Sequence, residues 1–199
     1  MPEDLWPSIF EKQKELIEKY KDIEKMGTLL EETEINLNTA FGQKWIKDFA
    51  WRVVEELTEA MESDLMSEEY AEEGAIALAK EAHLHYQEEL IDAVHFLAEL
   101  TIIAGFDYHV VPKIPYTEEN EAEWFSVVYN LGLLANCLKN KPWKQSQMLT
   151  DYNKARAYIV EIWRSMIYVL FNAGLDYQGI YRLYFKKNSV NKFRQRSKY

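Results

Sequence analysis

Two short acidic clusters set inside apolar helical repeats constrain this chain more than any other feature. Glu55-Glu56-Leu57-Thr58-Glu59 is the first, and Glu88-Glu89-Leu90-Ile91-Asp92-Ala93-Val94-His95-Phe96 is the second. Carboxylates three residues apart in a helix share a face, which pairs Glu56 with Glu59 and Glu89 with Asp92. Leu57, Ala60 and Met61 surround the first pair, and Leu90, Ala93, Val94, Phe96 and Leu97 surround the second, so both faces lie against protein rather than water. Like charges crowded there repel at a cost on the order of 1 kcal/mol per close pair unless a cation joins them. Ligands that are all oxygen favour a hard ion, Mg²⁺ or Mn²⁺, two or three of which four acids could hold. With 33 acidic residues, either pair alone would read as a solvated helix face. Two pairs on separate apolar helices, with a basic segment at the far end of the chain, favour one shared site.

The background supports long helices. Seven glycines and five prolines are few for 199 residues, and 48% apolar residues with 14% aromatics can fill a core. The expectation is an all-α bundle of about five to six helices in a single domain, 1–199. A net charge of −10 argues against a nucleic-acid or anionic-membrane partner, since either would repel the chain. Cys137 stands alone, which excludes a disulfide framework and a cysteine zinc site. Met1-Pro-Glu-Asp-Leu-Trp-Pro7 lacks the basic and apolar regions of a signal peptide. The longest apolar stretch, 93–106, is too short to span a bilayer and contains Glu99, so the expected location is cytoplasmic.

In chain order, Ser8 followed by Glu11 reads as a helix entry, and Ile9, Phe10, Leu16, Ile17, Tyr20 and Ile23 carry helix one over about 9–25. Gln13 sits on its apolar side, either as a hydrogen bonder at the edge of the core or as a reader of a bound base. The repeat Trp45, Phe49, Val53, Leu57, Ala60 starts a helix near residue 44, and the polar run 63–68 predicts a break. A long helix follows over 76–104, stopped by Gly105. Thr117 opens another to about 139, a fifth spans 150–172, and a sixth runs from near 177 to 195. The third and fifth of these segments echo one another. Asp92 and Glu161 each stand thirteen residues before a glycine, Gly105 and Gly174, that is followed by x-Asp-Tyr. Duplication and a shared helix ending explain this equally well.

Tyr184, Lys187, Asn191, Arg194 and Lys198 recur at helical spacing, which gathers phenol, ammonium, amide and guanidinium on one face. A solvated basic tail is the plain reading. The sharper one is phosphate binding, with Arg forking onto two oxygens and Lys supplying a point charge. Acids that hold metal and bases that hold phosphate are the two halves of a polyphosphate site.

Taken together, these residues resemble the all-α dUTPase and dCTPase family within the MazG-like nucleoside triphosphate pyrophosphohydrolases. The family pattern E-E-x-x-E followed by E-x-x-D stands here as Glu55-Glu56-x-x-Glu59 and Glu89-x-x-Asp92. His95-Phe96 is similar to the pair that lies by the base in such enzymes. The ending Leu183-Tyr-Phe-Lys-Lys-Asn-Ser-Val-Asn-Lys-Phe-Arg-Gln195, with Tyr199, is similar to the tail of phage dCTP/dUTP pyrophosphatases, and Trp45 stands where a tail-matched relative has tryptophan. Lys198 replaces a frequent glycine, and Leu16 stands where a second base-reading amide is expected, which leaves the base open.

The resemblance implies Mg²⁺-dependent hydrolysis of dUTP or dCTP, or both, to the monophosphate and pyrophosphate, by a homodimer. A purine or broad-specificity (d)NTP activity is the alternative. Glu56, Glu59, Glu89 and Asp92 would hold metal, with Glu56 also orienting or deprotonating the attacking water. Lys187, Asn191 and Arg194 would bind phosphate. Phe96 would stack on the base, Gln13 or His95 would read its edge, and Trp45 would lie beside it. Two rivals come from other classes. A di-iron bundle needs a second acid-x-x-His element besides Asp92-x-x-His95, and the other histidines follow Lys80, Ala82 and Phe106. A non-catalytic helical interaction protein would show no metal-dependent protection by nucleotides.

Overall fold

The computed structural model describes residues 5–20, 36–116, 124–140, 143, 145 and 148–196, with side chains through residue 191. Six α-helices appear in these segments: α1 (Trp6–Tyr20), α2 (Ala40–Glu72), α3 (Ile76–Ile103), α4 (Trp124–Cys137), α5 (Tyr152–Asn172) and α6 (Tyr177–Arg196). A 3₁₀ turn, Tyr108–Val110, follows α3, and no strand occurs among the described residues. The protein is an all-α bundle, and no described helix is long and apolar enough to cross a membrane.

Three boundaries differ from the sequence reading. Helix α1 begins at Trp6, so Ser8 lies in its first turn and does not cap it. Helix α2 begins at Ala40 rather than near residue 44, because Thr39 caps it by accepting a hydrogen bond from Gly42 N at 3.0 Å. It also runs through the polar stretch 63–68 without a break. The hydroxyls there are used across the helix pair, Ser63 Oγ meeting His85 Nδ1 at 2.9 Å and Ser67 Oγ donating to Ala79 O at 3.0 Å. The helix expected to open at Thr117 and the end of helix one, 21–25, lie outside the described residues.

Helices α2 and α3 form an antiparallel hairpin that turns at Gly74, whose φ of 75° is left-handed. Their pairing fixes which residues meet: Ser67 faces Ala79, Ser63 faces His85 and, continuing toward the core, the first acid cluster faces the second. Around this hairpin α1 and α6 pack against α3, while α4 packs chiefly on α5. The core they share includes Ile9, Ile17, Phe49, Val53, Val94, Leu97, Ile162, Trp163 and Ile180, all almost fully buried. Trp163 ties α5 to α3 by donating from Nε1 to Thr101 Oγ1 at 3.0 Å.

Candidate active site

The acids meet where the hairpin pairing brings them. Carboxylate oxygens of Glu56 and Glu59 from α2 and Glu89 from α3 lie within 4.8 Å of one another. Glu89 is 8% exposed, whereas Glu59 stands at the open rim. Burial pushes the Glu56 carboxyl up to about 8, helped by the charge of Asp92, a hydrogen bond shared with Glu89, and the charges of Glu89 and Glu59. A proton held at that height marks crowded negative charge around Glu56. The donor set therefore fits a hard divalent cation, which would do the neutralising.

Asp92, the fourth expected acid, belongs to the same neighbourhood but is engaged by α6. Lys187 Nζ donates to its Oδ2 at 2.5 Å. Burial alone would lower the Lys187 ammonium, but the hydrogen bond and charge of Asp92, with Glu89 and Glu88 behind it, raise it above its ordinary value. A helix ninety-odd residues away in sequence thus delivers a permanent cation to the edge of the acid cluster. Asn191, one turn further along α6, lines the same cleft. Arg194 lies on the last turns of α6, and its side chain is outside the described residues.

The cleft beside the acids has a volume of about 320 Å³ and is lined by Gln13, Arg52, Glu56, Asp92, His95, Phe96, Glu99 and Asn191, among others. That is near the lower bound for a small-molecule pocket. Its floor is a buried polar network. Gln13, 0% exposed, donates from Nε2 to Glu99 Oε1 at 2.8 Å, while its Oε1 accepts from Tyr184 Oη at 2.6 Å and faces His95 Nδ1 at 2.8 Å. Since Gln13 Oε1 can only accept, His95 carries its hydrogen on Nδ1. Burial and the nearby Lys187 charge push the His95 pKa down to about 3, against an opposing contribution from the Tyr184 main chain. The imidazole is neutral, stacked on the Tyr184 ring at 4.0 Å, and its Nε2 is left as a buried acceptor without a hydrogen-bond partner.

Several expected placements change. Tyr184 does not join the phosphate-facing side of α6, because it is fully buried and its hydroxyl is committed to Gln13. Trp45 is half-buried in a row of rings, 6.1 Å from Phe49, which is in turn 6.3 Å from Phe96; Phe96 lines the cleft and Trp45 does not. His95 is held by Gln13 and Tyr184 rather than by the acids, which removes the di-iron element. Two lining residues escaped the sequence reading. Glu99 reads in the sequence only as a charge in an apolar run. Arg52 stacks its guanidinium over Phe49 at 4.6 Å and Phe96 at 5.7 Å, and its position four residues before Glu56 was the available signal.

Residues 76–199 match the model of the dUTPase family. No curated protein and no solved structure matches the chain. The matched region starts with α3 and covers Glu89, Asp92, His95, Phe96, Lys187, Asn191 and Arg194, while the partner acids Glu56 and Glu59 are brought to it by α2. With more than half of its length inside that match, the chain belongs to the dUTPase family, nucleotide pyrophosphatases that act on dUTP.

Proposed function

We propose that this protein hydrolyses dUTP, dCTP or both to the monophosphate and pyrophosphate with Mg²⁺, as a homodimer in the cytoplasm. The observation that carries the reading is the meeting of Glu56, Glu59 and Glu89 within 4.8 Å, at the edge of a cleft lined by Glu56 and by Asp92, which Lys187 reaches from α6. Glu56, Glu59, Glu89 and Asp92 would hold the metal, which when bound supplies charge neutralisation for the polyphosphate and acidity for a water.

The chain's own groups account for the rest. Glu56 borders the cleft and orients or takes a proton from the water that attacks the α-phosphorus. Lys187, Asn191 and Arg194 meet the β and γ oxygens and stabilise the charge that collects there as pyrophosphate leaves. Phe96 offers its ring to the base, with Arg52 on the same aromatic row and Trp45 behind it. Of the two edge readers, Gln13 has both amide atoms bonded within the protein, and His95 lines the cleft as a neutral imidazole.

Pyrophosphate release measured against all natural dNTPs and NTPs with Mg²⁺ tests this directly. Turnover confined to dUTP and dCTP, and lost in Glu89→Gln with the helix content unchanged, is the expected outcome. Equal turnover of purine nucleotides would move the assignment to the broad-specificity alternative. Near wild-type rates in Glu89→Gln would remove the metal cage.

A further inference from the structure

We propose that Tyr184 is a positioning residue for the cation that α6 brings to the cleft: its hydroxyl, fastened through Gln13 to Glu99, sets where Lys187 stands beside the acids. This rests on the reading of Lys187 as a polyphosphate ligand given above. Helix α6 carries Lys187 to Asp92 at 2.5 Å, yet apolar packing does little to hold that part of the helix. Its buried positions are Gly179, Ile180, Tyr184 and Asn188, while Tyr181, Leu183 and Phe185 are covered only in part. Beyond Ile180 the inward face, among the described residues, therefore holds a phenol and an amide and no fully buried aliphatic side chain. Directional bonds must supply the register that interlocked aliphatic side chains supply between other helices. The Asn188 Nδ2 contributes none, having no hydrogen-bond partner among the described residues.

Tyr184 does supply it. Its Oη donates to Gln13 Oε1 at 2.6 Å and lies 3.2 Å from Ile9 O, both on α1, and its ring stacks on His95 of α3 at 4.0 Å. Gln13 is turned oxygen-first toward Tyr184 because its Nε2 donates to Glu99 Oε1 at 2.8 Å, and a carboxylate can only accept. Glu99 stands two turns beyond Asp92 on the same face of α3. Helix α6 thus meets that face at two levels. Lys187 reaches Asp92 directly, and Tyr184, one turn earlier on α6, reaches Glu99 by way of Gln13.

The test uses full-length protein with dUTP and Mg²⁺. Tyr184→Phe keeps the ring and removes the hydroxyl. It should lower kcat for pyrophosphate release about fivefold, with KM changed by less than about twofold. In the Lys187→Ala background the same change should cost less than about twofold, because the group it positions has gone. Glu99→Leu, which frees the Gln13 amide to turn, should behave likewise in both backgrounds. Apart from activity, the Lys187 ammonium signal in nitrogen-15 NMR without nucleotide, assigned through Lys187→Arg, should be sharp in the wild type and broadened in Tyr184→Phe. A wild-type kcat in Tyr184→Phe, equal losses in the two backgrounds, or an unaltered ammonium signal would overturn the positioning role and leave Lys187 in its place. An unchanged kcat/KM in Lys187→Ala alone would overturn the phosphate-binding role of Lys187 and the positioning by Tyr184 together.

Discussion

Helices α3 and α5 end in the same way and do opposite things with their acids. Gly105 and Gly174, at φ 84° and 76°, close each helix with the same pair of main-chain bonds, Phe106 N to Thr101 O and Gly105 N to Ile102 O on α3, Leu175 N to Leu170 O and Gly174 N to Phe171 O on α5. An aspartate follows each glycine and caps the next turn, Asp107 on His109 N and Asp176 on Gly179 N. The sequence echo thus corresponds to paired stop and start signals in the structure. Upstream the helices diverge. On α5 Glu161 points outward and is neutralised three residues later by Arg164 at 3.2 Å, with Tyr158 where α3 has Glu89. On α3 Glu89 and Asp92 face a second helix that also carries acids, and Lys187 from α6 bonds Asp92. The two helices thus differ in what faces their acids: an arginine of its own helix for Glu161, and the acids of α2 for Glu89 and Asp92.

Removing the charge that α3 keeps uncompensated should give the largest effect. Glu89→Gln is expected to lower kcat/KM at least about a hundredfold in a pyrophosphate-release assay, a loss in the range of broken metal-site contacts. Thermal melts without metal should show no loss of stability, because one repelling charge has gone. Next comes the lysine pair on α6. Lys187→Ala takes away a half-buried charge-assisted hydrogen bond of about 2 kcal/mol, some thirtyfold in kcat/KM. Lys186, which reaches Glu88 at 2.6 Å but is 64% exposed, should give less than about twofold when changed to Ala. Similar losses in the two variants would mean that burial does not distinguish them.

Much of this was legible in the chain. Apolar repeats of helical period located α1 and the start of α2, and scarce glycine made Gly105 and Gly174 visible as stops. What failed were decisions that another element makes. The run 63–68 looks like a loop because its polar groups outnumber its apolar ones, yet Ser63 and Ser67 find partners on α3 that no local pattern reveals. Tyr184 shares helical spacing with both Lys187 and Asn188, and only the packing of α1, which places Gln13 opposite its hydroxyl, decides that it turns inward with Asn188. The acid pairs were readable because like charges in an apolar repeat are costly in any fold. The ion pair of Asp92 with Lys187 was not, since it depends on where α6 docks.

The raised carboxyl on α2 gives a pH test of the same contrast, smaller in effect. A carboxyl at about 8 when folded, against an ordinary 4.5, binds its proton more tightly in the folded state. Its contribution to stability is fully present below about 4.5 and is lost as pH rises through about 8. In chelator, the melting temperature of the wild type should fall across that window, and Glu56→Gln should flatten the decline. Mg²⁺ should restore stability most at the alkaline end, with proton release on binding near pH 7. A wild-type profile parallel to that of Glu56→Gln would show that Glu56 is not the group strained by its neighbours.

The smallest effect belongs to α5. Glu161→Gln breaks the pair with Arg164, but both side chains are about half exposed, at 49% and 43%, and solvent already screens them. Exposed pairs of this spacing contribute about 0.3–0.5 kcal/mol, so the unfolding midpoint in urea should barely move, and pyrophosphate release should stay at the wild-type rate. Raising the salt to about 1 M should erase even that difference, because the screening length then falls to about 3 Å. If Glu161→Gln instead lowered turnover, the acid on α5 would be coupled to the cleft through Trp163 and Thr101, and the two helices would be less unlike than their surroundings make them.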